Sequence, residues 1–307
     1  MSSPLALLNG RLLPFTEAAL PLHDAGFVSG ATVVDNARTF RHKLFRWPDH
    51  LARFRRDCKT CYVPLEVSDE QLTAAAEELV SHNAKLLPPG GELQLVTFAT
   101  PGPLGFYLGD SVNGPPTRGM VTYPLPFARY RQFFTEGVTL AHVGTHGVHS
   151  ETILPPTVKH RSRMLWHIAD HKARTQTGNP AAFGILSDGP AGSLTETSVA
   201  NFLAVVDGVV MSPPRETILD GISLRVTREL CESLGVPYAE RNLALSDIPK
   251  HSEAMLTGTG FCLAGVREMS LTNAPSHRYE WPGPVFRRLL AAWSDLVGVD
   301  IERQLMG

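Results

Sequence analysis

No stretch of this 307-residue chain runs to 18 apolar residues, so no membrane-spanning helix is expected. An excess of one charge is missing as well. With 28 Lys and Arg against 30 Asp and Glu, the formal net charge is -2, and no basic face for a nucleic acid is implied. Cysteine is scarce: Cys58, Cys61, Cys231 and Cys262 are the four present. The pair in "CKTC" has no second CxxC to complete a zinc site and no thioredoxin-like βαβ pattern around it, which leaves structural or incidental thiols. The opening "MSSPLALLNGRLLPF" lacks a basic region followed by an apolar core and a cleavage site, so nothing there predicts insertion or export, and a cytoplasmic protein is expected.

What remains is a chain of 43% hydrophobic residues, long enough to bury a sizeable core and to divide into two domains. Histidine is unevenly spread, with six of the twelve between His142 and His171. They include "HGVHSE" and the "HIADH" pair, His167 and His171, on one helical face. A zincin helix needs Glu directly after the first His, and here Ile168 follows, so no metal is expected.

Residues 4 to 47 read as short strands and turns, with Asn9-Gly10 between apolar runs as a hairpin signal. A helix follows, entered through Pro48 and Asp49. Another opens at a capping box of Ser68 and Gln71, with an apolar stripe of Leu72, Ala75, Leu79 and Leu86. "GGELQLVTFAT" alternates as a strand, and the Gly- and Pro-rich stretch from Pro101 to Gly119 reads as a long functional loop. In the second half a helix is expected from about Ser162 to Thr175, ending near Gly178. Strands "AAFGILS" and "NFLAVV" come next, then a hairpin at Asp207-Gly208, then a helix with Ser223 at or near its N-cap. Strands and helices mix without regular βαβ alternation, which argues for two α+β domains and against a doubly wound nucleotide-binding fold. The expected division is a small domain over 1–123, a linker over 124–135 and a large domain over 136–307.

In "LPPTVKHRSRM" one lysine, Lys159, stands among His160, Arg161 and Arg163. Like charges disfavour an ammonium, and a neutral amine is a nucleophile, although the same pattern also suits a solvated basic face. Elsewhere the helix beginning near Ile222 offers N–H donors suited to a phosphate. "LTGTGF" offers Thr259 on a short Gly-flanked loop, and "LTETSVANF" offers an acidic residue. Together with the lysine these outline a carbonyl cofactor that carries a phosphate.

The segment "LTETSVANFLAVVDGVVMSPPRETILDGISLRVTREL" resembles the signature of the class IV, fold-type IV pyridoxal-phosphate enzymes. "PLHDAGFVSGATVVDNAR", "DHLARF" and "VKHRSRM" resemble that family's N-terminal turn, arginine motif and lysine segment, in the right order along nearly the whole chain. The resemblance implies a small N-terminal α/β domain and a larger, β-barrel-like C-terminal domain. It also implies pyridoxal 5'-phosphate held by Lys159 as a Schiff base, with Glu196 on the pyridine nitrogen. Arg53, Ile222, Ser223 and Thr259 would hold the phosphate, and Leu219 would pack on the ring.

The reaction so implied is transfer of an amino group from an amino acid, branched-chain donors included, or an amine to a 2-keto acid; release of pyruvate by a lyase is the alternative, and a non-catalytic binding module, favoured only by the histidine cluster, is a third reading. Phe98 and Thr100 stand where the D-amino-acid enzymes carry an Arg and a His for the substrate carboxylate, and Met164 replaces a common Tyr. Val34, Arg38, Phe98 and Gly260 are the candidate substrate residues, Arg38 as a carboxylate binder or as a structural ion-pair arginine. A homodimer is implied, since in this family the small domain of one chain completes the pocket of the other.

Overall fold

The computed structural model describes residues 3–145, 153–189, 192–272 and 274–306. The chain divides into two units, Met1–Leu125 with Val158–Ser162, and Pro126–Thr157 with Arg163–Gly307. The division after Leu125 falls inside the stretch expected as a linker. Most of that stretch is a helix of the second unit, and the short segment carrying Lys159 belongs to the first.

The first unit is built on strands β1 (Leu5–Leu8), β2 (Arg11–Pro14), β3 (Val33–Phe40), β4 (Lys43–Leu44), β5 (Leu93–Thr100) and β6 (Thr117–Pro124). They form one sheet in the order β2-β1-β6-β5-β3-β4. The β1–β2 hairpin turns at Asn9 and Gly10, whose φ angles of 50° and 81° are the left-handed pair a two-residue turn of this twist requires. After a short helix α1 (Ala25–Val28), α2 (Trp47–Thr60) starts with Pro48 in its first turn, and α3 (Asp69–Ala84) carries the reciprocal capping box of Ser68 and Gln71. Their apolar residues Trp47, Leu51, Leu72, Ala76 and Leu79 pack with Leu7, Ala37, Leu95 and Met120 of the sheet. Leu86, expected in the α3 stripe, lies past the helix end and is exposed.

The second unit contains helices α4 (Phe127–Thr135), α5 (Met164–Thr177), α6 (Ile222–Ser233), α7 (Pro284–Val297) and α8 (Ile301–Met306). Its strands are β7 (Val138–Thr145), β8 (Phe183–Asp188), β9 (Ser193–Thr197), β10 (Asn201–Val206), β11 (Val209–Ser212), β12 (Tyr238–Glu240), β13 (Glu253–Gly258), β14 (Cys262–Leu271) and β15 (Ala274–Arg278). The order β10-β13-β14-β7-β8-β9 closes on itself because β9 also pairs β10. This is the β-barrel-like domain expected, with β11 and β12 attached beyond β10 and β15 attached to β14. Helix α5 begins two residues later than expected and ends at Gly178, whose φ of 67° forms the left-handed cap. For α6 the N-cap is Gly221, and Ser223, expected at or near the cap, is the second residue of the helix.

Candidate active site

In the first unit the Lys159 segment docks on β3. Val34 donates its N–H to the Lys159 carbonyl at 3.0 Å, and Arg161 donates to the Thr32 carbonyl at 2.9 Å. The Ser162 hydroxyl donates to the Gly30 carbonyl at 2.8 Å. The segment therefore extends the sheet beside the N-terminal half of β3, while β4 occupies the other end of that edge. The Lys159 amide donates to Asp57 Oδ2 at 2.9 Å. Asp57 is wholly buried, and its other oxygen accepts from Arg56 Nε and Nη2 at 3.0 and 2.9 Å. Burial pushes the Asp57 carboxyl above its ordinary range, against the pull of the Lys159 amide and of Arg56.

One turn earlier α2 presents Arg53, and two turns earlier His50. His50, Arg53 and Asp57 follow each other at spacings of three and four, so they share one buried helical face. Asp35 of β3 accepts from Arg53 Nε and Nη2 at 2.8 and 3.0 Å, and His50 Nδ1 lies 2.6 Å from Oδ1 of the same carboxylate. Burial alone would raise the Asp35 carboxyl, but Arg53 and His50 outweigh it and hold the group far below the usual carboxylate range. His50 is pushed down, by burial first and then by the positive charges of Arg53 and Lys159, against the pull of Asp35. Beside this cluster the "CKTC" thiols stay quiet: Cys58 is pushed up to about 12 by burial and by Asp57, so little thiolate forms at neutral pH.

Val34 is buried and pairs across the sheet with Phe98, whose ring covers Gly119; a Cβ there would lie 2.5 Å from Phe98 Cζ. Arg38, 2% exposed, donates through Nε to the Thr39 carbonyl and lies 3.9 Å over the Phe40 ring, an environment typical of a structural arginine. Thr100 is fully buried, and its hydroxyl accepts from the Gly102 N–H.

In the second unit Glu196 on β9 stands opposite Asn201 on β10. Its Oε2 accepts from Asn201 Nδ2 at 3.0 Å and from the Leu219 N–H at 3.3 Å. The same Asn201 amide donates to the Leu219 carbonyl at 2.9 Å, so the carboxylate and the Leu219 loop are tied through one side chain. That loop leads into α6, whose N-cap Gly221 supplies no side-chain cap and whose first residues, Ile222 and Ser223, are buried. The loop between β13 and β14 carries Thr259, half-buried, and Gly260, which lies under Tyr130; a Cβ at Gly260 would sit 2.3 Å from the Tyr130 hydroxyl. Thr257 at the end of β13 touches Thr227 of α6 at 3.1 Å, and Gly258 lies against the Val199 carbonyl of the β9–β10 turn. Glu196, Leu219, Ile222, Ser223 and Thr259 are thus gathered by contacts of this unit alone.

Sequence reasoning passed over Asp57, His50, Asn201 and Gly221. His50 and Asp57, on either side of Arg53, were readable as a polar stripe at helical spacing on α2, where an apolar one is the rule. Met164, at the family's common Tyr position, opens α5 and is largely exposed. Arg163 donates to the Ser198 carbonyl and lies 5.5 Å from the Trp166 ring. Of the histidine motifs, "HGVHSE" lies outside the described residues. Among those described, no group of three His, Cys, Asp or Glu is placed to hold a metal ion, and no helix is long and apolar enough to cross a membrane.

Each unit holds groups whose chemistry suits pyridoxal phosphate. A buried helix start with no side-chain cap suits a phosphate dianion, a carboxylate braced by two N–H donors suits a protonated ring nitrogen, and the pinned lysine suits the aldehyde. The fold places the chain in a class. The branched-chain aminotransferase of Escherichia coli superposes with a TM-score of 0.83 at 20% identity, covering 96% of this chain and 95% of that one. The branched-chain aminotransferase of Thermoproteus uzoniensis, solved with norvaline, gives 0.81 at 22% identity, covering 99% and 98%. This is the two-domain, fold-type IV architecture. Curated relatives include the D-alanine aminotransferase of Listeria innocua, 24% identical over 256 residues, covering 82% of this chain and 83% of that protein. The family model for class IV amino-transferases matches residues 32–269, and the chain belongs to that family. It is a pyridoxal-phosphate-dependent transaminase, moving an amino group from a donor amino acid or amine to a 2-keto acid.

Proposed function

We propose that Lys159 is the residue that bonds the cofactor and that it carries the proton in transamination. The observation that supports this most directly is the fixing of its backbone from both sides, by Val34 at the carbonyl and by Asp57 at the amide. A side chain that must release and remake one bond in every half reaction gains from an anchor that does not drift. Bound pyridoxal phosphate supplies an electron-withdrawing ring that stabilises negative charge on the substrate carbon. Glu196, oriented by Asn201 and Leu219, is proposed to keep the ring nitrogen protonated, and Leu219 to pack against the ring. Ile222 and Ser223 at the start of α6, with Thr259, are proposed as phosphate donors, and Arg53, oriented by Asp35, as the balancing charge.

For the donor we propose an amino acid with an apolar side chain, branched-chain donors first. Val34 and Phe98 support this: they form one cross-strand pair beside the Lys159 segment, and the family resemblance sets Phe98 at the position of the carboxylate-binding arginine of the D-amino-acid enzymes. Gly260, kept small by Tyr130, is proposed to line the substrate side of its loop. The relatives matched are aminotransferases, which favours transamination over the pyruvate-releasing lyase.

A homodimer is proposed on the apolar surface of the first unit. Leu22 and Phe27 are 77% and 68% exposed, Phe106 and Leu108 are 65% and 71% exposed, and the two segments are joined by the Leu104 N–H to the His23 carbonyl. A cytoplasmic location is part of the same proposal, supported by four thiols without a disulfide. The test is the half reaction: a branched-chain donor should bleach the visible band of the lysine-bound cofactor and a 2-keto acid should restore it. Restoration without a keto acid, with release of pyruvate, would give the lyase instead.

A further inference from the structure

We infer that Asp57 is the positioning residue of Lys159, fixing the height and direction from which the lysine side chain leaves its segment. The inference rests on the reading of Lys159 given above. Asp57 lies 102 positions away in the chain, on the last turn of α2, and is wholly buried. A buried carboxylate is costly unless each oxygen has donors. Here one oxygen serves Lys159 and the other serves Arg56, so the two partners satisfy the group from opposite sides. A neutral hydroxyl would suffice for one amide hydrogen bond, whereas a charged acceptor makes it roughly twice as strong.

The position of Asp57 on α2 adds to the case. Its main-chain carbonyl accepts the Cys61 N–H that closes the helix, while Arg53 and His50 on the same face grip Asp35 of β3. Lys159 is bonded to Val34 of that same strand. The lysine backbone is therefore clamped between β3 and α2, and α2 is itself keyed to β3 through the residue next to Val34. The contact from Asp57 to the segment is made by a side chain, so it can be removed by substitution while the backbone pairing of Lys159 with Val34 stays.

The test compares holoenzyme carrying Asp57→Ala and Asp57→Asn with the parent, for thermal stability, cofactor content, the pH titration of the lysine-bound visible band, and donor kinetics. Loss of the acceptor should lower kcat about ten- to a hundredfold, the cost of a small misplacement of the reacting group, with the donor KM little changed and the midpoint of the band titration displaced. The side-chain amide introduced by D57N keeps a carbonyl oxygen for the Lys159 N–H but not the charge, so that variant should recover part of the loss, with a kcat between those of D57A and the parent. Equal kcat and an unchanged titration in D57A, with only a lower Tm, would overturn the inference. If D57A does not fold, D57N decides: a kcat and a band titration equal to the parent's overturn it. If neither folds, hydrogen exchange in the parent holoenzyme decides, because rapid exchange of the Lys159 amide would show that the bond does not hold. Borohydride reduction and peptide mapping separate the two layers. Cofactor found on another lysine removes the Lys159 reading, whereas cofactor on Lys159 with an indifferent D57A removes only the role of Asp57.

Discussion

Asn201 faces Glu196 across the strand pair that closes the barrel of the second unit, and its amide holds the Glu196 carboxylate at 3.0 Å and the Leu219 carbonyl at 2.9 Å. The same contact that completes the sheet aims the carboxylate. Replacing Glu196 by Gln keeps the size and removes the charge that stabilises a protonated ring nitrogen. E196Q should retain cofactor and lose about a hundredfold or more in kcat, in line with removal of one preorganised electrostatic partner. Single-turnover kinetics with a branched-chain donor check this, and a loss under about threefold would exclude the assigned role.

Gly221 approaches Asn201 more closely than any side chain permits: an added Cβ would lie 2.1 Å from Asn201 Oδ1. Its φ of -70° is ordinary, so the demand is for space and not for backbone freedom. Gly221→Ala should push Asn201 off Glu196 and shift the start of α6, at a cost of about 1–3 kcal/mol in stability, with weaker cofactor binding. Equilibrium unfolding and titration of the apoenzyme with pyridoxal phosphate read the two effects separately.

His251 is 2% exposed, and among the described residues neither of its ring nitrogens has a hydrogen-bond partner. Burial, with His277 and Lys250 adding to it against Asp247, lowers its pKa from 6.5 to about 4. A group whose folded pKa is depressed stabilises the fold fully above its unfolded pKa and loses that contribution as the pH falls. Stability should therefore decline between pH 6.5 and about 4, by up to about 3 kcal/mol from this residue. His50 falls in the same direction, and Asp35 adds a further loss below the ordinary carboxylate range. His251→Leu should flatten the upper part of this limb while changing stability at pH 7 by about 1 kcal/mol or less. An unchanged slope in denaturant titrations across that window would contradict the assignment.

The exposed apolar pair Phe27 and Leu108 provides the test of assembly. Phe27→Asp with Leu108→Asp should shift the protein towards monomer in light scattering at micromolar concentration, with the first unit still folded. A mass unchanged from the parent would place the interface elsewhere.

Much of this molecule was readable from its residues, in a particular way. Local signals with a physical cause, such as Asn9-Gly10, the Ser68–Gln71 box and Gly178, all sit where the sequence indicates. Each is decided within a few residues. Helix α4 was missed because "YPLPFARYRQFF" opens on prolines that read as a linker, while what fixes the helix is distant: Tyr130 and Phe133 meet the Phe261 ring edge-on, at 5.6 and 5.3 Å between centroids. The candidate site shows the same limit. Lys159 and Glu196 could be picked out as chemistry, but their supports, Asp57 and Asn201, make ordinary local patterns and gain meaning only through long-range pairing. Ser223 reads as at or near the N-cap because serine favours that position, and it stands two residues past a cap that must be a glycine to clear Asn201.

The central claim, that Lys159 carries the cofactor, is tested most directly by reducing the yellow holoenzyme with borohydride, digesting it and sequencing the fluorescent peptide by mass spectrometry. The modified lysine should lie in "TVKHR", at Lys159, and the Lys159→Ala protein should yield no such peptide. A phosphopyridoxyl group on any other lysine, or a Lys159→Ala protein that labels as well as the parent, would contradict the account.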